Sequence, residues 1–418
     1  MGLFGRKKAR IEKAVKESAH KIVCLACFRS FANDWVMFRA LEGLDAEGYE
    51  LQRDDVLDGH RSRFGLGTAG EIEAALDPDD FDESSKKYYR GVLVSLTDDY
   101  GNTTSKRLCP FCHSELCEGA GFRQTVVFAV TGQARAGKSV FFTCLVHHMR
   151  NVLPRHFHSF CASIDSETGR MFKHGLAAPL LENGILPVSA LLKQFPDPPL
   201  VFSYSQGDAW DQDVYVVFFD GAGDSGYMDI HTNLVKNAAG AMLLVDPLSI
   251  PVFGKELAQK SLPDFDPLFF TEPVDDLGLM LLEEAYDIPI AVVVTKTDLF
   301  SAIADDSGHF DHLSAVFDDF CHEGCFDIEE YEDIDEEIRD FLADVCPNFF
   351  NALMKRHGAK LGFFGVSALG EVPVAGHVNN VKPVRIAEPF LWLLRCFGLI
   401  SRKRKDNKEN EGMLDWDT

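Results

Sequence analysis

The sequence predicts an α/β fold, a mostly parallel sheet with helices on both faces, preceded by a small cysteine-bearing module. From Gln124 onward, short runs of β-branched residues alternate with helical segments, the pattern of parallel strands joined by crossover helices. A Gly-x-x-x-x-Gly-Lys-Ser string, Gly132 to Ser139, stands between one such strand and one such helix. Two Cys-x-x-Cys pairs, Cys24 with Cys27 and Cys109 with Cys112, lie ahead of it.

At 418 residues the chain is long enough for two or three domains, and 46% hydrophobic with 25% charged residues is ordinary for a folded protein. Lys+Arg 41 against Asp+Glu 65 gives a net charge of −24, which works against general binding to nucleic acid or anionic lipid. No run approaches the ~18 apolar residues of a membrane span, and the apolar start is too short for a signal peptide, so the expected compartment is the cytoplasm. Eleven cysteines without an export signal read as thiols and metal ligands rather than a disulfide framework.

Composition divides the chain in order. Residues 1–21 are a basic segment, a solvated helix or a membrane-surface contact. Residues 22–118 hold the cysteine pairs as a split zinc ribbon, with Val36 to Arg39 as a ribbon strand and a polar, irregular insertion at 40–107. Residues 124–400 form the α/β domain, with strands at Thr125–Thr131, Leu200–Tyr204, Val214–Asp220, Ala239–Asp246, Ile288–Thr295 and Gly362–Ser367. Asp305 to Asp344 is an acidic helical region and Pro389 to Leu399 an apolar helix. Residues 401–418 are a polar tail expected to be disordered.

The string after the first strand is a phosphate loop. Gly132 and Gly137 let backbone N–H groups curl around phosphate oxygens, and the following helix adds the partial positive charge of its N-terminus. The whole loop, Gly132, Gln133, Ala134, Arg135, Ala136, Gly137, Lys138, Ser139 and Val140, is expected to line a nucleotide. Lys138 bridges β- and γ-phosphates, and the Ser139 hydroxyl suits Mg²⁺. Val214 to Asp220 is a strand ending in Asp-Gly-Ala-Gly, where Asp220 would hold Mg²⁺ through water and the Gly223 amide would meet the γ-phosphate. Ile290 to Asp298 is a strand ending in Thr295-Lys296-x-Asp298. A carboxylate only accepts hydrogen bonds, so Asp298 matches the N1–H and exocyclic amine of guanine and mismatches adenine. Lys296 would lie along the base plane. Ser367, Ala368 and Leu369 supply a loop whose amide, near Ala368, meets the guanine carbonyl.

These elements in this order, each at a strand end, resemble the GTPases of the translation-factor-related (TRAFAC) class over residues 124–400. The resemblance implies a P-loop GTPase domain that binds GTP and GDP and hydrolyses GTP with Mg²⁺. The ribbon-like start, Leu244-Val-Asp-Pro247 and Glu388-Pro-Phe-Leu-Trp-Leu-Leu394 are similar to the bacterial double-GTPase family, which implies a signalling or conflict-type switch. An unidentified protein partner is expected, a second GTPase or another copy of this chain. The γ-phosphate-sensing threonine of the class has no clear match; Ser189 is the candidate, and the third Mg²⁺ contact beside Ser139 and Asp220. Asp224 stands where many small GTPases place a water-orienting Gln, so unaided hydrolysis is expected to be slow. Arg135 occupies the position of the internal arginine finger of guanylate-binding and atlastin GTPases; it either reaches the phosphates as a catalytic group with Lys138 and Asp220 or faces solvent. An alternative function is a nucleotide-gated ribbon module with negligible hydrolysis.

Two Cys-x-x-Cys pairs are the ligand set of a structural tetrahedral Zn²⁺. About 80 residues separate the pairs, against ~15–20 in an ordinary ribbon, so the insertion must loop out between the two knuckles. His113 and Cys117 stand nearby as alternatives for one ligand.

Overall fold

The computed structural model describes residues 21–41, 48–132, 135–187, 197–206, 212–219, 228–261, 288–304, 310, 313–319, 324–374, 376–400 and 402–403. The basic segment before Lys21 and the tail from Arg404 lie outside these residues.

In the N-terminal module, Ile22–Val23 pairs antiparallel with Ser30–Phe31 around the first cysteine turn. The strand Met37–Arg39, expected from Val36 to Arg39, lies between Ala75–Leu76 and Arg107–Leu108, and the second cysteine turn follows the latter. The insertion is more regular than its composition suggests. It contains helix α1 (Asp55–Ser62) and a hairpin of Lys86–Tyr89 with Val92–Thr97. Several of its strands are two residues long, too short for an alternating pattern to show. Asp54 ties insertion to ribbon: it caps α1 by accepting from the Leu57 amide, and receives Arg39 Nη1 at 2.9 Å and His113 Nδ1 at 2.8 Å. Burial alone would raise this carboxyl, but the Leu57 amide, His113 and Arg39 more than offset it and hold it below the ordinary range.

The α/β domain is a seven-stranded, mostly parallel sheet built from β1 (Gln124–Gly132), β2 (Ser159–Ser163), β3 (Leu200–Gln206), β4 (Gln212–Phe218), β5 (Gly240–Val245), β6 (Ile290–Val294) and β7 (Leu361–Gly365), in the order β2-β3-β4-β1-β5-β6-β7. Strands β4, β1, β5, β6 and β7 are parallel; β3 runs against them, and the edge strand β2, antiparallel to β3, points their way again. The six expected strands are present, and β2 is the one that composition did not mark. Val126, Phe128 and Val130 of β1 face α2 (Lys138–Asn151) and the apolar C-terminal helix, while Val127 and Ala129 face α3 (Met228–Asn237). A β1 that is apolar on both faces is what burial between two helical layers requires. Farther along that second face, α4 (Pro251–Ser261), α5 (Ile328–Val345) and α6 (Pro347–His357) cover β5, β6 and β7. Helix α7 (Glu388–Cys396) packs beside α2 and is buried from Glu388 to Leu394.

The module sits on the α3 side of the sheet. Phe28, directly after the first cysteine pair, is fully buried among Val127, Val217, Phe219, Ile230 and Leu234. Asn233 and Asn237 of α3 donate their side-chain amides to the carbonyls of Cys27 at 3.4 Å and Phe28 at 2.9 Å. Arg63, just past α1, pairs with Asp229, and Phe64 meets Phe219 edge-on.

One buried ion cluster fixes the start of α7. Arg385, 1% exposed, donates Nη1 to both Glu388 carboxylate oxygens at 3.1 Å, Nη2 to Glu330 at 3.0 Å and Nε to the Ala315 carbonyl at 2.9 Å. Burial raises the Glu388 carboxyl to about 7, with Arg385 pulling the other way. The folded chain therefore holds a proton that the unfolded chain releases above its ordinary 4.5. This contribution to stability is complete below 4.5 and lost as pH rises through about 7. Urea unfolding across that window should show a falling stability that Glu388→Gln flattens; an unchanged slope would mean that the carboxylate stays ionised against Arg385.

Candidate functional site

The ends of four adjacent parallel strands meet in register. Gly132 of β1 pairs with Leu244 of β5, Val245 with Val294 of β6, and Val294 with Gly365 of β7. From β1 the chain passes to the β3/β4 side and from β5 to the β6/β7 side, so the crevice at their C-terminal ends is the topological switch point where open α/β sheets bind ligands. Gly132 is required there: its φ is 146°, and a Cβ would lie 2.5 Å from the Leu244 carbonyl oxygen. Gly137, at φ 82°, turns the loop into α2, whose first residues are Lys138 and Ser139. Gly137, the N-cap of α2, has no side chain to cap it, which suits a first turn whose amides meet a ligand.

The loop is laced to the neighbouring strand ends. Thr295 donates its hydroxyl to the Ala136 carbonyl at 3.0 Å, and Lys296 Nζ donates to the Arg135 carbonyl at 3.2 Å and to Asp246 Oδ2 at 2.6 Å. Asp298 accepts from the Ser367 hydroxyl at 2.6 Å, and that oxygen in turn accepts from the Gly370 amide at 2.9 Å. Burial raises the Asp298 carboxyl above its ordinary value, with the Ser367 bond pulling the other way. The Ala368 carbonyl accepts from the Cys144 thiol of α2 at 3.1 Å, joining the Ser367 loop to the phosphate-loop helix. Ser367 is also bridged to Val384 by backbone bonds in both directions.

The structure thus brings together Gly132, Arg135, Ala136, Gly137, Lys138, Ser139, Val140, Thr295, Lys296, Asp298, Ser367, Ala368 and Leu369. Gln133, Ala134, Ser189, Asp220 and Gly223 lie outside the described residues. Arg135 is exposed, with a left-handed backbone at φ 69°. Sequence reading missed Asp246 and Cys144 as members of this constellation. The signal for Asp246 was available, a carboxylate at the end of the strand next to the phosphate-loop strand; Cys144 looks like any small core residue of a helix.

The second centre is the cysteine cluster. The four Sγ atoms of Cys24, Cys27, Cys109 and Cys112 lie within 4.8 Å of one another, all buried, with Cys24 and Cys112 at 3.7 Å and Cys27 and Cys109 at 3.8 Å. Tetrahedral zinc with bonds of about 2.3 Å puts its sulfurs roughly 3.8 Å apart, so the set fits that ion. The Ala26 and Phe111 amides each donate to a ligand sulfur at 3.4 Å. Hydrogen bonds with Cys109, Cys112 and Cys27 push the Cys24 thiol well up, while hydrogen bonds with Cys109, Cys24 and Cys27 pull Cys112 down. His113 is engaged by Asp54, and the Cys117 thiol bonds Tyr215, so neither replaces a cysteine. A separate cavity of about 480 Å³ opens between the module and the N-terminal end of β1, lined by residues including Ala26, His60, Thr125 and Tyr215, at the far end of β1 from the phosphate loop.

No helix among the described residues is long and apolar enough to cross a membrane. No protein-family model matches the chain, and no curated protein matches it. Among solved structures it is similar to the bacterial selenocysteine-specific elongation factor EF-Sec, at 15% identity and a TM-score of 0.26 over 65% of this chain and 29% of that one. It is also similar to the GTPase-like domain of S. cerevisiae Ski7, bound to GTP, at 14% identity and a TM-score of 0.30 over 66% of this chain and 50% of that one. The chain thus spans less than a third of the first and half of the second, and the likeness is a distant one, of fold.

Purified protein should carry about one zinc per chain by elemental analysis, and Cys109→Ser with Cys112→Ser should bring it to background. Full retention in that double variant would show that the two pairs do not share one ion.

Proposed function

We propose that the chain is a guanine-nucleotide switch that binds GTP and GDP and hydrolyses GTP with Mg²⁺, a TRAFAC-class GTPase of the bacterial double-GTPase type. The four-cysteine module holds a structural zinc and serves for docking a protein partner. The observation that carries this reading is Asp298, a partly buried carboxylate fixed by Ser367 and joined through Thr295 and Lys296 to the phosphate loop two strands away. An acceptor-only group in that place selects guanine. The amides of the loop and of the first turn of α2 bind the phosphates, and Lys138 neutralises their charge as it builds on transfer. Ser139, partly exposed in that turn, offers the hard oxygen that Mg²⁺ prefers. With Ser189 and Asp220 it would hold the ion, which would supply positive charge against the phosphates. Arg135, exposed here, would turn inward as the charge-stabilising arginine. Asp224, in place of a water-orienting Gln, favours a second reading in which hydrolysis is negligible and GTP gates partner binding; steady-state turnover separates the two.

Titration with fluorescent GTP, ATP and XTP should show a clear preference for GTP, which Asp298→Asn shifts toward XTP because an amide can donate to the extra carbonyl. Equal affinity of the unaltered protein for ATP would overturn the assignment. Lys138→Ala should abolish tight triphosphate binding. Because an ionised carboxylate is what pairs with guanine, GTP affinity should fall as pH drops through the raised Asp298 pKa.

Arg135→Ala should lower turnover at least about tenfold with little change in nucleotide affinity, since it acts on charge that develops only in the transition state. Turnover equal to the unaltered protein's at every protein concentration would leave Arg135 a surface residue.

A further inference from the structure

We infer that Asp246 is a positioning residue for guanine-nucleotide retention, acting through Lys296; the inference rests on the nucleotide-binding reading above. Asp246 directly follows β5, at the switch point, and is 5% exposed. Its orientation is set by its own turn: Oδ1 accepts from the Leu248 amide at 3.0 Å and its carbonyl accepts from the Ser249 hydroxyl at 2.6 Å. The remaining oxygen, Oδ2, meets Lys296 Nζ at 2.6 Å. That ammonium also donates to the Arg135 carbonyl of the phosphate loop at 3.2 Å. Lys296 itself has a left-handed backbone at φ 58°, a conformation that a long side chain adopts at a cost.

Three separate strand ends are joined at one nitrogen, and among the described residues Asp246 supplies the only charge of opposite sign placed on it. An ammonium between a fixed carboxylate and a backbone carbonyl has little rotational freedom left, so its four-carbon stem is already extended across the crevice when a base arrives. Ordering done before binding is not charged against affinity. Without the carboxylate, Lys296 must be ordered by the nucleotide itself, and the Arg135 carbonyl loses the donor that ties the phosphate loop to the base side. The expected signature is faster release with little change in capture.

The experiment is a double-mutant cycle on release of fluorescent GDP from the full-length chain, chased with unlabelled GDP, using the unaltered protein, Asp246→Asn, Lys296→Met and the pair. Asn keeps an acceptor for the Leu248 amide and replaces the oxygen facing Lys296 with a group that repels it, so the turn survives while the link is lost. Asp246→Asn should release GDP at least about tenfold faster with association changed by less than about threefold, and should add nothing once Lys296 is Met. Release at the unaltered rate, or an equal acceleration in the Lys296→Met background, overturns this role and makes Asp246 only a cap of its turn. Should Asp246→Asn not fold, Lys296→Met leaves Asp246 and its turn intact and carries the test, release no faster than the unaltered protein's again overturning it. An unaltered protein that retains GTP and GDP no better than ATP and ADP overturns the proposed function itself, and with it this role.

Discussion

The close approach of β1 to β5 at Gly132 sets the geometry of everything at that edge of the sheet. Strand ends on parallel neighbours are useful only if they stop at the same height, and here three successive pairings do so: Gly132 with Leu244, Val245 with Val294, and Val294 with Gly365. The phosphate loop leaves β1 at the one residue whose missing Cβ permits contact with the Leu244 carbonyl. From that fixed departure point, Ala136 and Arg135 come within hydrogen-bonding reach of Thr295 and Lys296 on the next strand but one. The loop is therefore held by side chains of the 295–298 segment, and the two halves of the candidate site form one hydrogen-bonded unit.

Much of this was legible in the chain itself. A β1 apolar on both faces, the glycine–lysine–serine string after it, and a strand ending in Thr-Lys-x-Asp each carry their chemistry in consecutive residues, and consecutive residues are what sequence reading sees. The four cysteines were legible because a short turn carrying two thiols has few other uses. What stayed hidden depends on contacts between distant residues. The edge strand β2 has mixed polarity, and pairing with β3 rather than its own pattern makes it a strand. The insertion looked irregular because its order comes from Asp54 gathering Arg39, His113 and the Leu57 amide from three places. Asp246 becomes meaningful only when β5 and β6 are laid side by side.

The α/β sheet and the cysteine module also share a boundary that composition could not show. Phe28 belongs to the first cysteine turn by position and to the α3 face by packing, and two asparagines of α3 hold the backbone on either side of it. Helix α3 follows Phe219, which itself meets Phe64 of the module, so the module grips both ends of the 220–227 stretch in which the phosphate-sensing residues are expected.

That shared phenylalanine bears on how the protein is made. The cysteine pairs close at residue 112, before any strand of the seven-stranded sheet has been synthesised, whereas the cover for Phe28 comes from Val127, Val217, Ile230 and Leu234. A nascent chain can gather its four thiols early yet must carry an uncovered aromatic ring until more than a hundred further residues have emerged. Cut loose, the module would keep its four thiols together and expose the ring, so the cysteine cluster and the packing around Phe28 draw different limits for it.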